Sequence, residues 1–344
     1  MTQKVLLVSP NWLGDIVMAL PAFQRWRATD GADAEVTVLA RGALGTLWAM
    51  HDGVDAVLKA PAPGADTREI LSTIRERRFD DAVILPNSVR AAWLPFRAKI
   101  PRRIGYPGHF PRRWLLTDPL PPATPPKDAP LPRHQAWEAY GLWCPNAPLP
   151  AALDAPKLAA AATDIARIRE KLSAVPGVAS AQKLVALIPG AARGDSKQWP
   201  PERYVETAAL LHRAHGTAAL LLGTAAEAPL CDRIAQALAE KGVPAHSLAG
   251  QTSLPEMAAA LAVADGVVCN DSGGMHLAAA LQRPTVAAFG ITDPDKTGPL
   301  GPTARILQNS PIRSRKVPRS SPVATAALLR ITAEQAAEAL GAML

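Results

Sequence analysis

Between Gly266 and Gly290 the chain reads as an apolar run, Gly266-Val267-Val268-Cys269, and then a polar glycine turn, Asn270-Asp271-Ser272-Gly273-Gly274. A run of helix formers follows over residues 275–281, Arg283-Pro284 stops it, and a second apolar run covers 285–290. Strand, helix and strand in that order make a βαβ unit. Its two strands lie parallel, and a parallel sheet needs helices on both of its faces. The turn also leaves backbone N–H groups at a helix N-terminus, where an anion is favoured. Asp271 or Ser272 as an ordinary N-cap accounts for the same residues.

The alternation begins twice. Residues 4–10 form a first buried strand, 11–14 a turn, and a helix opens at Asp15 and runs to about residue 28, with Pro21 kinking or restarting it. Strands at 35–39, 53–58 and 81–85 alternate with helices at 41–50 and 67–78. From Lys183 the pattern restarts with a strand over 184–188, a helix over 201–215, a strand over 218–222 and helices over 228–241 and 254–262. The expected fold is therefore α/β in two domains, over 1–160 and 161–330, with a last helix at 331–344 returning to the first. Residues 119–132 form a proline-rich loop, and 145–156 read as a linker.

Hydrophobic residues at 48% supply well-formed cores, and charged residues at 19% are too few and too mixed for a disordered chain. The net charge of +7 points to anionic partners. Nucleic acid is set aside because no RRM, helix-turn-helix or zinc-finger pattern accompanies that charge. Cys144, Cys231 and Cys269 have neither metal nor redox spacing, which suits a reducing compartment, and Cys269 reads as core. Residues 5–8 are too short for a signal-peptide core, and no apolar run is long enough to span a bilayer, so a cytoplasmic protein is expected.

Ligands bind at the carboxyl ends of strands in open α/β sheets. Asn11-Trp12-Leu13-Gly14-Asp15 sits at such an end, with Asp15 either a helix cap or a general base. Lys197 lies in the loop after residue 188, between Gly190 and Gly194 on one side and Trp199-Pro200 on the other. It is either a solvated lysine or a point charge for a phosphate. Glu227, after Gly223-Thr224, is either a first-turn charge or an acceptor for ribose hydroxyls. His276 is a lone histidine in an apolar helix, and Asp293-Pro294-Asp295 is a turn rather than a metal pair. Residues 97–113 carry Arg97, Lys99, Arg102, Arg103, Arg112 and Arg113 without an acid, which favours an anion-recognition surface over a solvated loop.

Three segments together, NWLGDIVMALP, PGAARGDSKQWP and NDSGGMHLAAALQRPTVAAFGITDPDKTGPL, resemble the ADP-heptose:lipopolysaccharide heptosyltransferases, and within them the type II branch. The resemblance spans nearly the whole chain. It implies a GT-B glycosyltransferase: two Rossmann-like domains with parallel sheets facing across a cleft, and the donor on the second. It further implies inverting transfer of L-glycero-D-manno-heptose from ADP-heptose to the first heptose of the lipopolysaccharide inner core. No cofactor and no essential metal are implied. The enzyme would be cytoplasmic and peripheral on the inner face of the inner membrane, with an anionic glycolipid acceptor. On the matching positions, Asp15 is the general base and Lys197 neutralises the leaving diphosphate. Ser272, Gly273 and Gly274 present N–H groups to the phosphates, and Asp271 meets the heptose. Thr224 and Glu227 lie on the ribose side and Leu248 and Gly250 on the adenine side, and Gly190 and His276 complete the donor set. Asn11, Trp12, Asn87, Arg90, Arg102, Arg103, Arg112 and Arg113 are the expected acceptor contacts. The 119–132 loop and the Gly273-Gly274 pair depart from the family pattern, and the second glycine is expected to loosen its turn. The alternatives are transfer to another core position or to protein, a GT-B nucleotide-sugar epimerase, and a non-catalytic lipopolysaccharide-binding module.

Overall fold

The computed structural model describes residues 2–191, 194–314, 317–318 and 320–344. The chain divides into two compact units, Met1–Lys157 and Leu158–Leu344.

The first unit holds strands β1 (Lys4–Val8), β2 (Glu35–Ala40), β3 (Ala56–Lys59), β4 (Asp81–Ile84), β5 (Arg102–Gly105) and β6 (Asp118–Pro119). Its helices are α1 (Leu13–Arg27), α2 (Leu44–Trp48), α3 (Arg68–Arg77), α4 (Val89–Arg97) and α5 (Ala136–Trp143). The second unit holds β7 (Lys183–Ile188), β8 (Thr217–Leu221), β9 (Ala245–Ser247), β10 (Gly266–Asn270), β11 (Thr285–Ala288) and β12 (Ala304–Leu307). Its helices are α6 (Ala162–Ser173), α7 (Pro201–His215), α8 (Ala228–Glu240), α9 (Leu254–Val263), α10 (Gly273–Ala280), α11 (Pro294–Thr297), α12 (Pro322–Leu329) and α13 (Ala333–Gly341).

Both sheets are parallel and share one topology, with spatial orders β3-β2-β1-β4-β5-β6 and β12-β11-β10-β7-β8-β9. Each begins on a central strand, steps outward over two strands, and returns to the other side of the first. The reversal, between β1 and β4 in one unit and β7 and β10 in the other, opens a crevice at the strands' carboxyl ends. The central strands are buried on both faces, which is why they read as unbroken apolar runs: all of β4, β8, β10 and β11 is buried. Helix boundaries follow local chemistry. α7 starts on Pro201 and stops at Gly216, whose φ of +61° suits the left-handed C-cap. α9 opens with a capping box between Ser253 and Glu256.

Four expectations are corrected. Pro21 does not restart α1, which runs on through it as one helix. Within residues 97–113, read as irregular, lies the strand β5, and the helix α4 precedes it. The final helix packs within its own unit: Ile331, Ala336 and Leu340 join the core of α7, β7 and β10, burying the apolar stripe of α13 there. The glycine at 274 does not loosen its turn. It is buried, and an added Cβ would lie 2.8 Å from Ile188 Cδ1, so the missing side chain lets α10 close on β7. The 119–132 loop is largely irregular, as read, and it packs on α5, where an added Cβ at Gly141 would lie 2.8 Å from the Ala123 nitrogen.

Candidate active site

In the second unit, the end of β10 is held by Asn270, which is fully buried. Its Nδ2 donates to the carbonyls of Pro189 (2.7 Å) and Gly190 (3.2 Å), beyond β7. Its Oδ1 accepts from the Trp199 N–H (2.9 Å) and from the Tyr204 hydroxyl (2.8 Å) on α7. One side chain thereby ties the ends of two strands to the loop that carries Lys197. That loop closes in a 3-10 turn, Asp195–Lys197, entered through Gly194 at φ +91°. Ala192 and Arg193 of the motif lie outside the described residues.

Lys197 Nζ forms an ion pair with Asp271 Oδ2, and both side chains are largely buried. Next to Asp271, Ser272 is the N-cap of α10, but its side chain makes no capping bond. Its Oγ is buried without a hydrogen-bond partner among the described residues. The first N–H groups of α10 are therefore not capped by the Ser272 side chain. His276 is buried in the same helix.

Thr224 and Glu227 form a capping box around the 3-10 turn Ala225–Glu227: Glu227 Oε2 accepts from the Thr224 N–H (2.8 Å) and hydroxyl (2.9 Å). An added Cβ at Gly190 would overlap Glu227 Oε1, and one at Gly223 would lie 3.2 Å from Glu227 Oε2. Gly190 thus opens space that Glu227 itself fills. Gly250 has φ +74°, and a Cβ there would stand 2.9 Å from Ala225 Cα; Leu248 is buried beside it. The structure shows the first-turn reading of Glu227, with its carboxylate closing the turn that follows β8.

In the first unit, Asp15 occupies the first turn of α1, whose N-cap is Trp12; the cap reading is therefore not the one adopted. Asn11, Trp12 and Asp15, after β1, line a cavity of about 570 Å³ with Asn87, after β4, and with Tyr106, Gln135 and Glu138. The cavity lies at this sheet's reversal point. A smaller one of about 230 Å³ on the same strand ends is lined by Arg41, Arg90 and Trp93. Burial pushes the Tyr106 hydroxyl well above its ordinary range, so it stays protonated.

The basic stretch divides in two. Arg112, expected at the acceptor, is 1% exposed. Its Nε donates to the Tyr106 carbonyl (2.8 Å) and its Nη1 to the Ser88 carbonyl (2.5 Å). Arg103 donates to the carbonyls of Leu115 (2.8 Å) and Ile100 (2.6 Å). Arg102 pairs with Asp81 (3.5 Å) and Asp118 (3.3 Å), because the register sets β4 and β6 on either side of β5. Arg112, expected at the acceptor, is corrected to internal bracing, while Arg103 and the exposed Arg102 also engage the chain itself. The stretch lacks acids in sequence, and the fold supplies them from neighbouring strands. Arg90, Arg97, Lys99 and Arg113 remain exposed.

Sequence reading missed Asn270, Tyr204 and the role of Trp199, whose partners lie far apart in the chain. Among the described residues there is no cluster of His, Cys, Asp or Glu able to hold a metal, and no helix long and apolar enough to cross a membrane.

The profile of glycosyltransferase family 9 (heptosyltransferase) matches residues 67–324. The chain is 32% identical to lipopolysaccharide heptosyltransferase 2 of Salmonella typhimurium, over 89% of this chain and 88% of that one. It is 31% identical to lipooligosaccharide heptosyltransferase 2 of Haemophilus influenzae, over 99% of both. The solved structure of the ADP-heptose lipopolysaccharide heptosyltransferase II of E. coli superposes with a TM-score of 0.81 at 28% identity, covering 99% of this chain and 98% of that one. With both sheets in one nucleotide-binding topology and the motifs in order along them, the chain belongs to glycosyltransferase family 9, the heptosyltransferases.

Proposed function

We propose that this enzyme transfers L-glycero-D-manno-heptose from ADP-heptose to the first heptose of the lipopolysaccharide inner core, with inversion at the anomeric carbon. The observation that carries the reading is a division of chemistry between two equivalent places. A carboxylate, Asp15, stands at the reversal point of the first sheet. A cation, Lys197, and the start of α10 stand at that of the second.

The acceptor hydroxyl attacks the anomeric carbon from the side opposite ADP. Its oxygen forms the new glycosidic bond as the bond to the diphosphate oxygen breaks, and its proton passes to Asp15. The developing charge on ADP is met by Lys197 Nζ and by the N–H groups of Ser272, Gly273 and Gly274. Asp271 orients Lys197 and accepts from heptose hydroxyls. Thr224 and Glu227 meet the ribose, Gly190 leaves room for Glu227, and Leu248 and Gly250 flank the adenine, with His276 backing α10. Asn11, Trp12, Asn87, Arg90 and Arg113 take the acceptor. The reaction as written uses no cofactor. The enzyme works in the cytoplasm, peripheral to the inner membrane, and its net charge of +7 supports that setting.

The test is ADP release with ADP-heptose and a core truncated after its first heptose, against a core that lacks heptose. Release with the first acceptor alone, and a product heavier by one heptosyl residue, is expected. Release with neither acceptor, or turnover without a new glycosidic bond, overturns the reading.

A further inference from the structure

One face of the first unit is apolar, aromatic and basic at once. Along α4, Val89, Arg90, Trp93, Phe96 and Arg97 fall on one side of the helix and are exposed, while Ala92 and Pro95 face inward. α4 packs against the 3-10 turn Arg112–Leu115, which adds Trp114, 71% exposed, and beside it Phe110, 81% exposed. These two rings meet edge to face at 6.1 Å. Trp12 apart, every exposed Phe and Trp among the described residues lies here.

The charge carried by this segment has one sign. No acid occurs between Asp81 and Asp118, and both of those are engaged with Arg102. Arg90, Arg97, Lys99 and Arg113 are left exposed, with the Arg97 guanidinium 5.4 Å from the Trp93 ring centre. Two tryptophans, each an apolar ring with a polar N–H edge, and two phenylalanines, set among basic residues, match the headgroup zone of a bilayer. The most exposed rings, Phe110 and Trp114, project from a turn, which suits insertion between lipids better than the packed centre of a protein interface.

We propose that the outer face of α4 and the adjoining Phe110–Trp114 turn seat this unit on an anionic phospholipid surface, the rings entering the interface and Arg97 and Lys99 meeting the headgroups. This deepens the peripheral-membrane reading above. It does not require the transfer reaction, and its test contains neither donor nor acceptor, so the two can fail separately.

The experiment is flotation of the full chain with vesicles of phosphatidylcholine plus phosphatidylglycerol, against phosphatidylcholine alone, both free of lipopolysaccharide. Wild type is expected to float with the anionic vesicles, to be released by high salt, and to stay behind with the neutral ones. Phe110→Ser/Trp114→Ser should weaken binding by roughly tenfold or more, and Arg97→Glu/Lys99→Glu should abolish it. Each variant is checked for an unchanged thermal midpoint, and Trp93→Ser/Phe96→Ser stands in if the first pair unfolds. Wild type failing to float with anionic vesicles, floating equally with neutral ones, or being matched by folded variants from both aromatic pairs overturns the proposal.

Discussion

The two sheets share one strand order, yet their carboxyl ends are finished differently. At the β7–β10 end the polar groups are interlocked. Asn270 spends both ends of its amide on the chain itself, Lys197 is paired with Asp271, and Glu227 closes its own turn. At the β1–β4 end, Asn11, Trp12, Asn87 and Arg90 are exposed around open cavities. An internal network fixes geometry before a ligand arrives, which suits a small donor of constant shape. An exposed rim suits a large branched acceptor whose contacts spread over a surface. Lys197, Asn270 and Gly190 should therefore carry stability and activity together, whereas Asp15 should bear chiefly on activity.

Asp15→Ala offers the strongest way to break that comparison. It should lower kcat by roughly 10³-fold with donor KM little changed, read by steady-state ADP release. A variant within tenfold of wild type removes Asp15 as the base. Lys197→Ala should lower kcat by roughly 10²-fold. It should also cost about 3 kcal/mol of stability, because Asp271 is left buried without its cation. Adding Asp271→Ala should restore much of the stability in urea melts and none of the activity. Recovery of both would mean that the pair is only structural.

Asn270→Ala takes a partner from two carbonyls and the Trp199 N–H and leaves the Tyr204 hydroxyl only the Ile188 carbonyl, at a cost of about 3 kcal/mol. The loss should appear in the second unit's unfolding, with a raised donor KM because the Lys197 loop is no longer tied to β10. An unchanged midpoint would show that the network is dispensable. Gly190→Ala should cost about 2 kcal/mol by pushing Glu227 off its turn. The donor KM should rise with it, while binding of the isolated acceptor, followed by calorimetry, should not move.

The smallest effect separates the units by pH. Burial holds His51 below the usual histidine range, and its Nδ1 accepts from the Gly53 N–H at 2.9 Å, so the folded first unit keeps it neutral. Below pH about 6.5 the unfolded chain takes up a proton that the folded one refuses. The first unit should thus lose stability from there down to the depressed pKa and level off beneath it. His51→Gln should flatten that part of the curve. A slope that persists in the variant assigns it to another group.

What was legible in the sequence follows from burial. β1, β2, β4, β7, β8, β10 and β11 are central or near-central, and two-sided burial writes them as apolar runs. β6 and β12 went unread because edge strands tolerate polar residues, and β5, one strand in, because Arg102-Arg103 looks like a charge run when its partners Asp81 and Asp118 are not in view. α4 hid behind Pro95 and that same charge run, and α12 behind the prolines before it. Site residues on single loops, such as Asp15 and Lys197, could be picked from local pattern. Asn270 could not, because its partners lie 66 to 81 positions away.

The closeness of Gly190 to Glu227 has an evolutionary consequence. The space where a Cβ would stand at 190 is occupied by the carboxyl of 227, so the two positions draw on one volume. A lineage that gained a side chain at 190 would have to shorten or redirect residue 227 in the same step or soon after. The route through either single change crosses a poorer enzyme. Among relatives that keep this turn, glycine at the first position and an acid at the second should be inherited as a linked pair, each serving as the other's genetic background.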